Sequence, residues 1–396
     1  MLYENKNGHE RYDQLLYDLM KKIIRAATVP ESLDTFCRGI LKELSNEYEV
    51  VAVSSPGDAL VRVAQREGVR TIAVPMERHI SVMSDLKSLW KMWHVMRHER
   101  PVMVHSMTPK AGLICMLSAW LARVPRRVHT FTGLVWPTSS GMKRRILMAT
   151  DWITCACATH IIPEGEGVKN DLLNHHITRK PIKVLGYGNV MGIDLEHYNP
   201  NEFDTSAHDG FTFVFVGRIV RDKGINELVS AFDRLRQEHR DVRLVLVGAG
   251  EDDLDPVAPE TKERINRGDG IEAVGRKKDV RPFYAQADAL VFPSYREGFP
   301  NVVIEAGAMN LPSIVTDING SRDIIVDGQN GVIIPSQNEE ALYEAMKRFV
   351  EHPDVVAQLA ANARSMIASR FEQSFVRRCL YDFYHEILYT SKSVVF

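Results

Sequence analysis

Two carboxylates, Glu297 and Glu305, lie in the stretch Pro293-Ser-Tyr-Arg-Glu297-Gly-Phe-Pro-Asn301-Val-Val-Ile-Glu305-Ala-Gly-Ala-Met-Asn-Leu-Pro312. Carboxylates accept hydrogen bonds from hydroxyls such as those of a sugar or a ribose. A second group, Gly217-Arg218-Ile-Val-Arg221-Asp-Lys223-Gly224, combines glycines with cations. Arginine grips phosphate oxygens in bidentate fashion and lysine supplies a point charge, so this group suits a diphosphate. Arg221 is expected to face solvent instead. Hydroxyl acceptors and a phosphate cradle in one chain point to a nucleotide sugar as ligand.

The elements that must hold these groups are strands and helix termini. Residues 288–292 read as a buried strand, followed by a turn rich in Gly and Pro and then a helix for which Asn301 is the expected N-cap. Glu297 then sits on the loop before a helix N-terminus, and Glu305 about one turn inside it. Unpaired N–H groups at such a terminus form an anion site. Gly217 likewise follows an apolar strand at 211–216 and precedes a helix from about 226. Upstream, strands at 22–28, 48–54, 70–74, 102–105 and 127–131 alternate with helices at 35–45, 58–67, 82–98 and 110–122. That alternation implies βαβ units and a parallel sheet. Gly and Pro accumulate around 186–209, which reads as a linker. A second series of strands follows at 211–216, 242–247, 270–274, 289–292 and 313–316. The expected organisation is α/β, with an N-terminal extension over 1–20 and a first Rossmann-like doubly wound domain over 21–190. A second such domain covers 191–370, and a C-terminal helix covers 371–396.

With 396 residues, 45% of them hydrophobic and 25% charged, the chain has the composition of a two-domain globular protein. Its five cysteines include no Cys-x-x-Cys pair and read as reduced thiols of a cytoplasmic protein. Residues 1–22 are charged and lack the apolar core of a secretory signal. The apolar run 111–122 is too short to span a bilayer. Net charge is only −2, yet no Asp or Glu occurs between Glu99 and Asp151. That window holds Lys110, Arg126, Arg127, Lys143, Arg144 and Arg145, a linear cluster expected to attract anionic lipid headgroups. Nucleic acid is not expected, because no recognition motif accompanies the charge.

Glu297-x7-Glu305, set among Gly-Phe-Pro-Asn and Leu-Pro, resembles the signature of retaining GT-B glycosyltransferases of family 4. Gly217-Arg218-x4-Lys223-Gly224 is similar to theirs too, and the run from 22 to 388 looks like bacterial members that build capsule, O-antigen or related surface polysaccharides. The resemblance implies two Rossmann-like parallel-sheet domains facing a central cleft, with the last helix crossing back onto the first domain. It implies that Arg218 and Lys223 neutralise a departing nucleoside diphosphate. Glu305 would hold the ribose hydroxyls and Glu297 those of the transferred sugar. Gly217 and the backbone of Phe299, Asn301 and Val302 would line the same pocket, with Arg276 near the base. His105, in Val104-His105-Ser-Met107, matches the first position of the family's His-x-His segment and is the catalytic candidate on the acceptor side. Its second position here is Met107.

Retention in this family is explained without an enzyme nucleophile. The acceptor hydroxyl attacks from the face the phosphate leaves, and the protein positions reactants and stabilises charge on the leaving group. The expectation is transfer of a hexose or N-acetylhexosamine from a nucleotide sugar such as a UDP-sugar to a polyprenyl-diphosphate-linked or glycan acceptor. It would occur at the inner face of the cytoplasmic membrane, with no metal cofactor. Two rivals are a GT-B-fold nucleotide-sugar epimerase and a non-catalytic sugar-nucleotide-binding subunit. Gly248-Ala-Gly250 begins like a dinucleotide fingerprint but meets Asp253 at the third glycine position. Asp253-Leu-Asp255 imitates a metal-binding Asp-x-Asp, but acidic loops after strands are common.

Overall fold

The computed structural model describes residues 20–77, 81–203, 210–251 and 255–389. The extension 1–19 and Asp253 lie outside the described residues. The chain divides into two compact units. The first holds the described residues up to Pro163, Asp171–Lys183 and the chain from Leu380; the second holds Glu164–Asn170 and Val184–Cys379.

In the first unit six parallel strands run in the order β3-β2-β1-β4-β5-β6. They are β1 Lys21–Ala26, β2 Tyr48–Ser54, β3 Arg70–Ala73, β4 Met103–Met107, β5 Arg126–Phe131 and β6 His160–Pro163. Ile23 of β1 lies between Val50 and Met103, and all three are buried. A sheet covered by helices on both faces accounts for such continuous apolar runs. The helix expected over 35–45 is in fact two, Pro30–Phe36 and Ile40–Leu44. They are divided at Gly39, whose φ of 74° is left-handed.

The second unit repeats the winding in the order β12-β11-β10-β7-β8-β9. Its strands are β7 Thr212–Val216, β8 Arg243–Val247, β9 Ile271–Gly275, β10 Ala289–Phe292, β11 Ser313–Thr316 and β12 Gly331–Ile334. Phe215 and Phe292 stack in its core with ring centroids 5.9 Å apart. In each sheet the first strand lies beside the fourth, where the winding reverses, and ligands of such sheets gather beyond the strand carboxyl ends at that point. The edge strands β6 and β12, four residues each, are absent from the sequence reading. The segment read as a linker is partly ordered irregular chain of the second unit, where Ile193 exchanges backbone hydrogen bonds with Phe371 (2.8 Å) and Gln373 (3.0 Å).

Candidate active site

The residues of the two motifs meet where β7 and β10 end, at the switch point of the second sheet. The loops leaving β7 and β8 cross so closely that a Cβ on Gly248 would lie 1.7 Å from the Gly217 carbonyl oxygen. Only glycine fits there. The chain after Gly217 makes a 3-10 turn, Arg221–Lys223, ended by left-handed Gly224 with φ 70°. A Cβ on Gly224 would meet the Pro293 carbonyl oxygen at 2.2 Å, so this turn lies directly against the exit of β10. The Tyr295 N–H donates to the Asp222 carbonyl at 2.9 Å and fixes the approach.

That approach brings Lys223 onto Glu297. The Lys223 ammonium donates to the Glu297 carboxylate, and the two side chains are only 15% and 17% exposed. Ser294 Oγ donates to the same carboxylate oxygen at 2.9 Å. The Lys223 nitrogen also lies 5.2 Å from the centre of the Phe292 ring. The helix Asn301–Ala308 begins just beyond, with Pro300 rather than Asn301 at the N-cap and no side chain capping it. Asn301 Oδ1 instead accepts from Asn189 Nδ2 at 2.8 Å. Its first N–H groups therefore remain available to an anion.

Glu305 faces elsewhere, accepting from the Tyr284 hydroxyl at 3.0 Å and from Tyr198. Burial raises its pKa, and the two phenols pull it partly back. Among the described residues no hydrogen bond or ion pair joins it to Glu297, Lys223 or Arg218. Arg218, half exposed, pairs with Glu251 at 2.5 Å. An exposed pair of this kind is weak, which leaves the guanidinium free to exchange partners. Arg221 is exposed and pairs with Asp255 at 3.3 Å. Arg276 is exposed after Gly275, whose carbonyl accepts from Gly248 N–H at 3.1 Å. Phe299 is buried with its ring edge-on to Phe371 at 5.4 Å, and Val302 is half buried.

One acid at this place was not anticipated. Glu164 directly follows β6 and is 3% exposed. Its carbonyl accepts the Asn189 N–H at 2.8 Å, and Gly165 beside it backs onto Phe299 and Asp323. Burial, and after it the neighbouring charge of Glu297, pushes the Glu164 carboxyl up to about 8. The signal was a short apolar run, His-Ile-Ile-Pro, ending in Glu-Gly; with β6 unread, its last residue had no place at a strand end.

The first-unit expectations need correction. His105 is 1% exposed with both ring nitrogens engaged, Nδ1 with Arg25 (2.7 Å) and Tyr384 (2.6 Å), and Nε2 with Thr130 (2.7 Å). Burial, then Arg25 and His129, holds its pKa well below the usual range. It is a neutral core histidine that meets no substrate. The basic window is likewise no single patch. Lys110 is committed to Asp85 at 2.6 Å. Arg126 donates to the Ile387 carbonyl (2.7 Å), and Arg127 to those of Cys157 (2.6 Å) and Val124 (2.7 Å). Those two begin β5, whereas Lys143, Arg144 and Arg145 open the helix Gly141–Cys157 beyond its other end. Arg144 lies over Trp136 at 5.7 Å, and Lys143 and Arg145 are exposed.

Among the described residues no three His, Cys, Asp or Glu side chains converge to hold a metal ion. No helix among them is long and apolar enough to cross a membrane.

Residues 33–188 match the family model of the glycosyl transferase 4-like domain, and 210–352 that of glycosyl transferases group 1. The chain is 31% identical over 388 residues to the capsular polysaccharide biosynthesis glycosyltransferase CapM of Staphylococcus aureus, covering 94% of this chain and 99% of that one. The chain belongs to family 4 of the GT-B glycosyltransferases. This glycosyltransferase is also 26% identical to an Escherichia coli UDP-Gal:alpha-D-GlcNAc-diphosphoundecaprenol alpha-1,3-galactosyltransferase, over 77% of its length and 81% of the relative's. Its GT-B fold matches that of HepE from Anabaena, solved in complex with UDP, with a TM-score of 0.76 at 15% identity, covering 92% of this chain and all of that one.

Proposed function

We propose that this glycosyltransferase moves a neutral hexose or N-acetylhexosamine, with retention, from a UDP-sugar to a lipid-diphosphate-linked or glycan acceptor in surface-polysaccharide synthesis. The observation that carries the reading is the Lys223–Glu297 pair at the β7/β10 switch point, next to an uncapped helix N-terminus. Lys223, Arg218 and the helix N–H groups are positive where a departing diphosphate needs stabilisation. They supply the charge that a metal ion supplies elsewhere. Glu297 accepts from a hydroxyl of the sugar, and Glu305 retains lone pairs beside its two phenols for the ribose hydroxyls. The acceptor hydroxyl attacks from the leaving-group face and passes its proton to a phosphate oxygen.

Acceptor chemistry comes from the relatives, whose printed names specify capsular polysaccharide and a diphosphoundecaprenol acceptor. Peripheral contact with an anionic membrane is supported by outward apolar residues on helices of the first unit. Val82, Met83, Leu86 and Trp90 are exposed on Val82–Glu99, interleaved with Lys87 and Lys91. Met142, Ile146 and Trp152 are exposed on Gly141–Cys157, beside Lys143 and Arg145. Aromatic and basic residues mixed on a helix face suit a headgroup layer. Incubation with UDP-sugars, with and without a lipid-diphosphate glycan, tests the function. Product formed only with acceptor, with the donor's anomeric configuration, supports it, whereas conversion of the donor sugar alone would mark an epimerase.

A further inference from the structure

In the proposed transfer two acids of the second unit hold hydroxyls, and Glu164 has no task. It is 97% shielded from solvent, and no described residue donates a hydrogen bond to its carboxyl. Its backbone is held from two sides: a Cβ on Gly188 would lie 2.4 Å from the Glu164 carbonyl oxygen, and one on Gly165 would lie 2.7 Å from Asp323 Oδ2. We propose that Glu164 is a third sugar-contacting carboxyl, handing a hydrogen bond to an oxygen of the transferred hexose beside the hydroxyl taken by Glu297. This rests on the donor-site reading above.

The neighbouring charges assign the roles. Glu297 comes from the loop after β10 and is an acceptor only, since Lys223 and Ser294 already donate to it. Asp323, from the short helix Ser321–Ile324, is engaged by the N–H groups of Glu166 and Gly320, each at 3.2 Å. Lys223 is committed to Glu297, so Glu164 faces a negative neighbour without a cation of its own. Its proton is therefore retained up to about pH 8, and at neutral pH it is an O–H donor. An acid and a carboxylate side by side read two oxygens of one sugar, one as donor and one as acceptor. A hexuronate would bring a further carboxylate against both, so the class is a neutral hexose or N-acetylhexosamine. A buried acid without a partner costs stability in the free protein, and such costs are typically retained at functional sites.

Titration calorimetry with UDP, UDP-glucose, UDP-galactose, UDP-N-acetylglucosamine and UDP-glucuronate on wild type, Glu164→Gln and Glu164→Leu is the test. UDP alone should bind all three proteins alike, within about twofold, because the lost contact belongs to the sugar. The extra affinity of the best neutral UDP-sugar over UDP should survive in Glu164→Gln and fall about tenfold in Glu164→Leu, the worth of one buried hydrogen bond. The acid form exists below its pKa, so in wild type this increment should be complete near pH 7 and vanish as pH rises past about 8. In Glu164→Gln it should be flat with pH. Leu fills the space, and a melting temperature at or above wild type shows that the variant folds. Weakened UDP binding, equal losses in both variants, a flat wild-type profile or preference for UDP-glucuronate overturns the proposal. A wild type that binds none of the five ligands brings down the donor reading, and this proposal with it.

Discussion

Replacing Glu297 by Gln keeps the side-chain volume while removing the charge that both Lys223 and Glu164 feel. Unit charges about 4 Å apart attract by about 4 kcal/mol at an effective dielectric of about 20. Desolvation offsets most of that attraction for a pair so largely buried. A remainder of about 1 kcal/mol freed on Lys223 would go to the phosphates, tightening UDP about fivefold. Transfer should move the other way. The contact from Glu297 to a sugar hydroxyl strengthens as the sugar becomes cationic, and losing its charge should lower kcat about 10²–10³-fold, as for other preorganised polar contacts. The acid form of Glu164 should also titrate lower once its negative neighbour is gone, so the pH at which sugar affinity is lost moves below about 8. Calorimetry with UDP and initial rates with labelled UDP-sugar read all three effects. If UDP binding weakened in proportion to the rate while the pH profile stayed put, Glu297 would merely brace the loop after β10, and its assignment to the sugar would be wrong.

Activity should be unchanged in excess EDTA, because Arg218, Lys223 and the helix N-terminus supply the positive charge; restoration by added divalent ion after loss would refute this. Sedimentation with phosphatidylglycerol vesicles should weaken about tenfold or more when Leu86 and Trp90 become Ser, by the loss of buried apolar area. It should not change when Arg126 and Arg127 do, since their guanidinium groups are bound to backbone carbonyls. Asp151 accepts from Trp136 Nε1 at 3.0 Å, and burial pushes its carboxyl up to about 7 against the pull of that bond. Its folded pKa lies above its unfolded one, so its contribution to stability is complete below about pH 4 and is lost as pH rises through 7, at about 1.4 kcal/mol per unit. Denaturant midpoints of wild type should fall over that window and those of Asp151→Asn should fall less; parallel curves would refute it.

How far the site was legible follows from where its parts lie along the chain. Lys223 and Glu297 each stand in a local strand-turn-helix, and the turn glycines that position them, Gly217 and Gly224, are visible in the same motifs. What brings the two together, contact of Gly224 with Pro293 and the crossing at Gly248, depends on strand order and so has no local signature. Glu305's phenols, Tyr198 and Tyr284, come from distant segments for the same reason. Asn301 carried the composition of an N-cap, but Pro300 took that place because the Asn301 amide is engaged by Asn189. Glu164 escaped because β6 is four residues at a sheet edge, too short to show a period. The basic window misled because proximity in sequence was taken for proximity in space: a six-residue strand, about 20 Å long, separates Arg126 from the loop that leads to Lys143. His105 was drawn to the site by its place near a strand end, whereas Arg25 and Tyr384 hold it in the core.

A crystal structure with UDP bound is the most direct measurement. Its diphosphate should lie within hydrogen-bonding distance of Lys223 Nζ and of the first N–H groups of the helix Asn301–Ala308. Arg218 should be drawn off Glu251, and the ribose hydroxyls should lie on Glu305. UDP seated away from the ends of β7 and β10, with Lys223 still closed on Glu297 and untouched by phosphate, would contradict the assignment.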